Sequence, residues 1–156
     1  MLTVSQLLTN KLNWNEGDFG TNRIEYVQTI PQGANVLDCA RKMNEHHVGS
    51  LVVLDTFNKM VGIISERDIL TRVVADQRDP ATTIVSHVMT DHVISCKPTT
   101  RLTDVQQLMT EKRIRHLPVL DDEALVGMIS IGDLNAANNA DLNIEVKSMR
   151  EYIAQG

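Results

Sequence analysis

Aromatic residues are almost missing from this sequence: one Trp, two Tyr and two Phe make up 3% of it. With 42% hydrophobic residues in total, the core must be built from Val, Ile, Leu and Met. Cysteine is limited to Cys39 and Cys96, without Cys-x-x-Cys spacing. That excludes a disulfide framework or a cysteine-rich zinc site, and both thiols read as small buried apolar side chains. No run approaches the roughly 18 apolar residues of a membrane span. The first ten residues lack the basic start of a secretory signal, so the expected compartment is the cytoplasm. Positive charge is in deficit, with 15 Lys and Arg against 20 Asp and Glu and a net charge of -5. Broad binding to nucleic acid or an acidic membrane needs the opposite balance. Missing too are a Gly-x-x-x-x-Gly-Lys phosphate loop, Gly-x-Gly-x-x-Gly, His-Glu-x-x-His and Gly-x-Ser-x-Gly. The histidines lack companion ligands at metal spacing. A binding protein is expected, not an enzyme.

What the chain does contain is itself, twice. Val36–Met43 lies over Leu102–Met109, Leu51–Asp55 over Leu117–Asp121, and Val61–Asp68 over Val126–Asp133. The offset is 66 residues and falls to 65 across the short turn before the third block, a change of the kind that loops tolerate. Val4–Thr9 resembles Val85–Thr90, but the first copy then carries a polar insertion at about 10–25, with Trp14 and Phe19. Its composition predicts an exposed loop folding back through those aromatics. Val36, Leu37, Ala40 and Met43 have helical spacing, as do Leu102, Val105, Leu108 and Met109. Leu51–Leu54, Val61–Ile64, Leu117–Leu120 and Leu125–Ile129 are continuous apolar runs that suit strands buried on both faces. Each copy therefore reads as strand, helix, strand, strand, helix. Neither has enough core alone, so the two should pack together as one α+β body. The expected divisions are residues 1–78 for the first repeat, 79–84 for a linker around Asp79-Pro80, 85–140 for the second repeat, and 141–156 for a closing helix.

The most informative motif is Gly-h-h-Ser-x-x-Asp, where h is apolar, at Gly62–Asp68 and Gly127–Asp133. Glycine permits close backbone approach. The serine stands where a strand ends and a helix begins, and a helix N-terminus favours a phosphate oxygen. A carboxylate three residues on can accept both hydroxyls of a ribose. The same spacing also makes a capping box, and a duplicated fold would duplicate its caps. Both readings stay open on spacing alone. Lys112-Arg113-Ile114-Arg115-His116 concentrates positive charge just before a strand. Lys112 suits a helix C-terminus, whereas Arg113, Arg115 and His116 suit charge-assisted bonds to phosphate. The first copy has His46-His47-Val48-Gly49-Ser50 at that place, so the two sites should differ. Pro118 removes a ladder donor from its strand, freeing neighbouring backbone groups for a planar base.

These strings, above all Gly62–Leu70, Arg115–Asp121 and Gly127–Leu134, resemble the paired cystathionine-β-synthase (CBS) domains, over nearly the whole chain apart from the insertion. The resemblance implies two βαββα units packed through their sheets with pseudo-two-fold symmetry, in the manner of stand-alone bacterial members, and assembly into a homodimer. It implies regulatory binding of an adenine nucleotide (AMP, ADP or ATP), with NAD(H) or S-adenosylmethionine as alternatives, read by an unidentified protein partner. It places Ser65 and Ser130 on phosphate or ribose, and Asp68 and Asp133 on ribose hydroxyls. Arg115 and His116 would approach phosphate, with Gly49 and Ser50 as weaker counterparts. Thr29, Ile30, Ser95 and Cys96 would flank the base. Arg67, Arg113, Leu117, Pro118 and Gly132 complete the expected ligand set. A ligand-free interaction scaffold, in which both motifs are only caps, is the competing reading.

Overall fold

The computed structural model describes residues 2–12 and 27–155, so Trp14, Phe19 and most of the insertion lie outside the described residues. Helix α1 (Val4–Leu12) comes first, then β1 (Thr29–Pro31), α2 (Val36–His46), β2 (Ser50–Leu54) and β3 (Met60–Ser65). Helix α3 (Glu66–Ile69) runs on through a π-helical turn, Leu70–Val74. The second half has α4 (Val85–Val88), α5 (Leu102–Lys112), β4 (His116–Asp121), β5 (Ala124–Ser130) and α6 (Ile131–Gln155).

The apolar runs became strands for the expected reason. All five residues of β2 are buried. It pairs parallel with β1 and antiparallel with β3, giving the order β1-β2-β3. In the second half β4 and β5 pair antiparallel, but the first strand shrinks to one parallel bridge between Cys96 and Val119. Proline explains the loss. In the first half the Val52 N–H donates to the Gln28 carbonyl at 3.0 Å. The matching donor in the second half would be Pro118, which has no N–H.

Both α2 and α5 end on a residue in the left-handed region, His47 at φ 53° and Arg113 at φ 55°. These are 66 residues apart in the repeat, and each turns the chain into the following strand. Glycine is the usual residue there, and the strain of side-chain-bearing residues clusters at functional places.

The helices exchange partners. Val4, Leu7 and Leu8 of α1 sit in the core with Cys96, Leu102, Val105, Leu117 and Ile129. Val85 and Val88 of α4 sit with Ile30, Val36, Cys39, Val53 and Ile64. Chain order assigns each of these helices to the repeat that follows it, whereas packing assigns it to the other one. The glycines of the two motifs make room for the exchange: a Cβ on Gly62 would lie 2.9 Å from the Thr90 carbonyl oxygen, and one on Gly127 would lie 2.8 Å from Leu8 Cδ1. A third cluster, Val27, Val52, Leu54 and Leu125 with Met60, Leu120 and Met128, joins the sheets of the two halves. The closing segment at 141–156 is no separate element, since α6 continues unbroken from the motif serine to Gln155.

Candidate functional site

Two clefts open beside the sheet-to-sheet contact, and each takes one wall from each repeat. The larger, of about 690 Å³, is lined by Ser65, Glu66, Arg67, Asp68 and Leu70 from the first repeat. Arg113, Ile114, Arg115, His116 and Pro118 face them from the second, with Ile63, Thr90, His92, Val93 and Ile94 completing the wall. The smaller, of about 460 Å³, sets Ser130, Asp133, Gly127 and Met128 against His46, His47, Val48, Gly49 and Ser50, with Lys11, Val27, Gln28 and His116. The basic strand start of one repeat thus faces the Ser-x-x-Asp motif of the other. Arg115 lines the larger cleft with Ser65 and Asp68, while His116 lines both clefts and so also meets Ser130 and Asp133.

The two motifs are caps and cleft walls together. Asp68 is 8% exposed. Its Oδ2 accepts from the Ser65 backbone N–H at 2.9 Å and from Ser65 Oγ at 3.0 Å. Its Oδ1 accepts from Thr90 Oγ1 at 3.1 Å, with Arg72 Nε at 4.0 Å. Thr90 is held for this by an antiparallel bridge to Ile63. Arg67 closes the cleft on its side, donating to the Arg113 carbonyl at 2.9 Å. One side chain therefore ties the start of α3 to the left-handed turn of the opposite repeat.

The smaller cleft is built differently. Asp133 Oδ2 accepts from the Ser130 N–H at 2.8 Å and pairs with Lys11 Nζ, also at 2.8 Å. Lys11 reaches the Met128 carbonyl as well, at 3.3 Å. Lys11 belongs to the predicted loop insertion, but α1 extends through it and delivers the cation to the cleft. No motif in the sequence announces it.

Six predicted ligand residues lie off both clefts. Ile30 and Cys96 are buried in the two separate cores. Thr29 offers its carbonyl to Lys42, and Ser95 lines a shallow depression beside α5. The strand residues that do face the clefts are Val27 and Gln28, and Val93 and Ile94, two positions upstream. Pairing with β2 and β4 carries Ile30 and Cys96 into the cores, while Thr29 stays half-buried and Ser95 exposed. Leu117 is also fully buried, and Gly132 lines a third depression between the halves, of about 440 Å³.

The larger cleft carries Arg67, Arg113 and Arg115 against Glu66 and Asp68, a cationic excess in an acidic chain. His116 stands where the clefts meet, and its pKa is lowered, chiefly by burial, against the upward pull of Glu66 and Asp133. The apolar part of the larger cleft's lining includes Ile63, Val93, Ile94, Ile114 and Pro118. Because Pro118 cannot donate, the Ile94 carbonyl has no hydrogen-bond partner among the described residues. Ile94 is half-buried and belongs to the apolar lining. Cys39 and Cys96 stay out of this chemistry, since burial pushes each thiol up to about 12.

The sequence signature of the CBS domain matches residues 23–75 and 85–138. The Arabidopsis thaliana mitochondrial CBS domain-containing protein CBSX3 is 37% identical over 78% of this chain. The chain spans 61% of that relative's length. A protein with CBS domains from Burkholderia ambifaria superposes with a TM-score of 0.78 at 35% identity, covering 90% of this chain and 96% of that one. A CBS domain protein from Pyrobaculum aerophilum, solved in complex with AMP, does so at 0.68 and 25% identity, covering 85% and 89%.

Proposed function

We propose, from the premise that this chain belongs to the CBS-domain family, that it is a regulatory module whose larger cleft binds an adenine nucleotide. The observation that carries the reading is the makeup of that cleft. It joins a capped aspartate from one repeat, an arginine-rich strand start from the other, and an apolar wall on which the Ile94 carbonyl has no hydrogen-bond partner among the described residues. Each part suits one part of the ligand. The Asp68 carboxylate accepts from ribose hydroxyls, and Arg113, Arg115 and His116 take the phosphate. The base lies against Val93, Ile94 and Pro118, with its exocyclic amine on the Ile94 carbonyl. A volume of about 690 Å³ falls within the usual range for small-molecule sites. The AMP held by the Pyrobaculum neighbour supports the same class of ligand.

The regulatory step follows from the walls. A ligand that touches both repeats favours whichever arrangement of the halves fits it best, and so shifts their relative packing. A partner protein that reads this change completes the proposed function. The smaller cleft is the weaker site, because Lys11 already neutralises Asp133.

A thermal-shift and calorimetric screen of the full chain with AMP, ADP, ATP, NADH and S-adenosylmethionine tests the reading. A ligand at a hundred times its Kd stabilises the folded state by about 2.7 kcal/mol. Binding of AMP, ADP or ATP that Arg115→Ala weakens supports the proposal. Stabilisation by none of the five would leave the scaffold reading in its place.

A further inference from the structure

From Asn138 to Gln155 every described side chain of α6 is exposed. Among the described residues, helix α6 is anchored at its start, where Leu134 is buried and Ile131 and Ala137 pack on the second core. Beyond that anchor, exposed large apolar residues continue along the helix; Ile144 and Tyr152 lie off the main stripe, which holds Leu142 (57% exposed), Val146 (45%), Met149 (64%) and Ile153 (76%). Their spacing is four, three and four residues. With Asn139 three residues earlier, the series is a-d-a-d-a of a heptad pattern, about 21 Å long at the helical rise.

We infer that this half of α6 pairs with the same segment of a second copy as a parallel, in-register two-stranded coiled coil. Three features select that partner. The a positions Val146 and Ile153 are β-branched and the d positions Leu142 and Met149 are not, the arrangement that favours two parallel strands. Asn139 at an a position meets its own counterpart and fixes register and number. Glu145 falls at g and Arg150 at the following e, so a parallel partner sets Glu145 of each copy against Arg150 of the other, twice. An antiparallel pairing would face Glu145 with Tyr152 and Arg150 with Asn143, without an ion pair. Two heptads alone are marginal as free helices. Here the anchored first half of α6 supplies the nucleus.

Cysteine crosslinking of the full chain tests this, with analytical ultracentrifugation alongside. Met149→Cys places a thiol at d, facing its mate, whereas Lys147→Cys places one at b, facing outward. Cys39 and Cys96 are buried and do not compete for the oxidant. None of these substitutions touches a core, so each variant keeps its fold. Met149→Cys is expected to form covalent dimer at least tenfold faster than Lys147→Cys, and adding Val146→Glu should abolish it. Glu145→Arg should weaken self-association about fivefold at low salt, and Glu145→Arg with Arg150→Glu should restore it. Equal crosslinking at 147 and 149, insensitivity to Val146→Glu, or failure of the charge exchange to restore pairing would each overturn the inference. The nucleotide site takes no part in these readouts.

Discussion

Replacing Asp68 with asparagine separates the two roles that this residue combines. As a cap, the carboxylate accepts from the Ser65 N–H, the Ser65 hydroxyl and the Thr90 hydroxyl. Asparagine can keep the first of these with its carbonyl and offer its amide to the Thr90 oxygen, so the cap is weakened but not emptied. Loss of a cap interaction costs about 1 kcal/mol, or roughly 2–4 °C in melting temperature for a chain of this size. The effect on a ribose is larger. Its hydroxyls lose a charged acceptor and meet an amide donor, and a hydrogen bond to a charged group is worth about 1.5–3 kcal/mol. Calorimetric titration with AMP should therefore show affinity reduced about 10- to 150-fold, while circular dichroism shows an intact fold. An unchanged affinity in a folded Asp68→Asn variant would refute the reasoning and leave the motif as a cap alone.

Four further outcomes are expected. IMP carries a carbonyl where AMP carries the amine facing Ile94, so it should bind at least about tenfold more weakly, the scale of one unsatisfied buried acceptor; competition calorimetry measures this. Gly62→Ala drives a Cβ onto the Thr90 backbone, and Gly127→Ala drives one onto the fully buried Leu8, so each should cost about 1–3 kcal/mol by urea denaturation. Lys11→Met removes the cation from Asp133; a second, weaker nucleotide-binding event should appear or strengthen in titrations of that variant. His116 has a lowered pKa in the folded chain, so the unfolded chain binds its proton first. The stability this contributes is complete above about pH 6.5 and is lost as pH falls from there toward the folded value. His116→Gln should flatten that part of the pH–stability curve.

Much of this was legible because duplication doubles the signal. A buried strand such as Leu51–Leu54 cannot be told from a helix segment by periodicity, but its match to Leu117–Leu120 fixed the order of elements around both. The Ser-x-x-Asp motifs were found for the same reason, and the structure shows them capping and lining a cleft at once. What escaped was pairing across the pseudo-two-fold. Nothing in the order of residues says that Arg115 faces Asp68 instead of Asp133, or that α1 packs in the core of the other half. Strand pairing, not composition, decides that Val93 and Ile94 line the larger cleft while Ser95 and Cys96 do not. Lys11 was invisible because a lysine in a polar stretch looks solvated until the helix carrying it is extended.

The most direct test of the nucleotide assignment is a crystal structure of the full chain grown with AMP. The ribose should sit on Asp68, the phosphate among Arg113, Arg115 and His116, and the adenine amine on the Ile94 carbonyl. AMP bound in contact with one repeat only, or a larger cleft still empty at saturating AMP, would contradict the account.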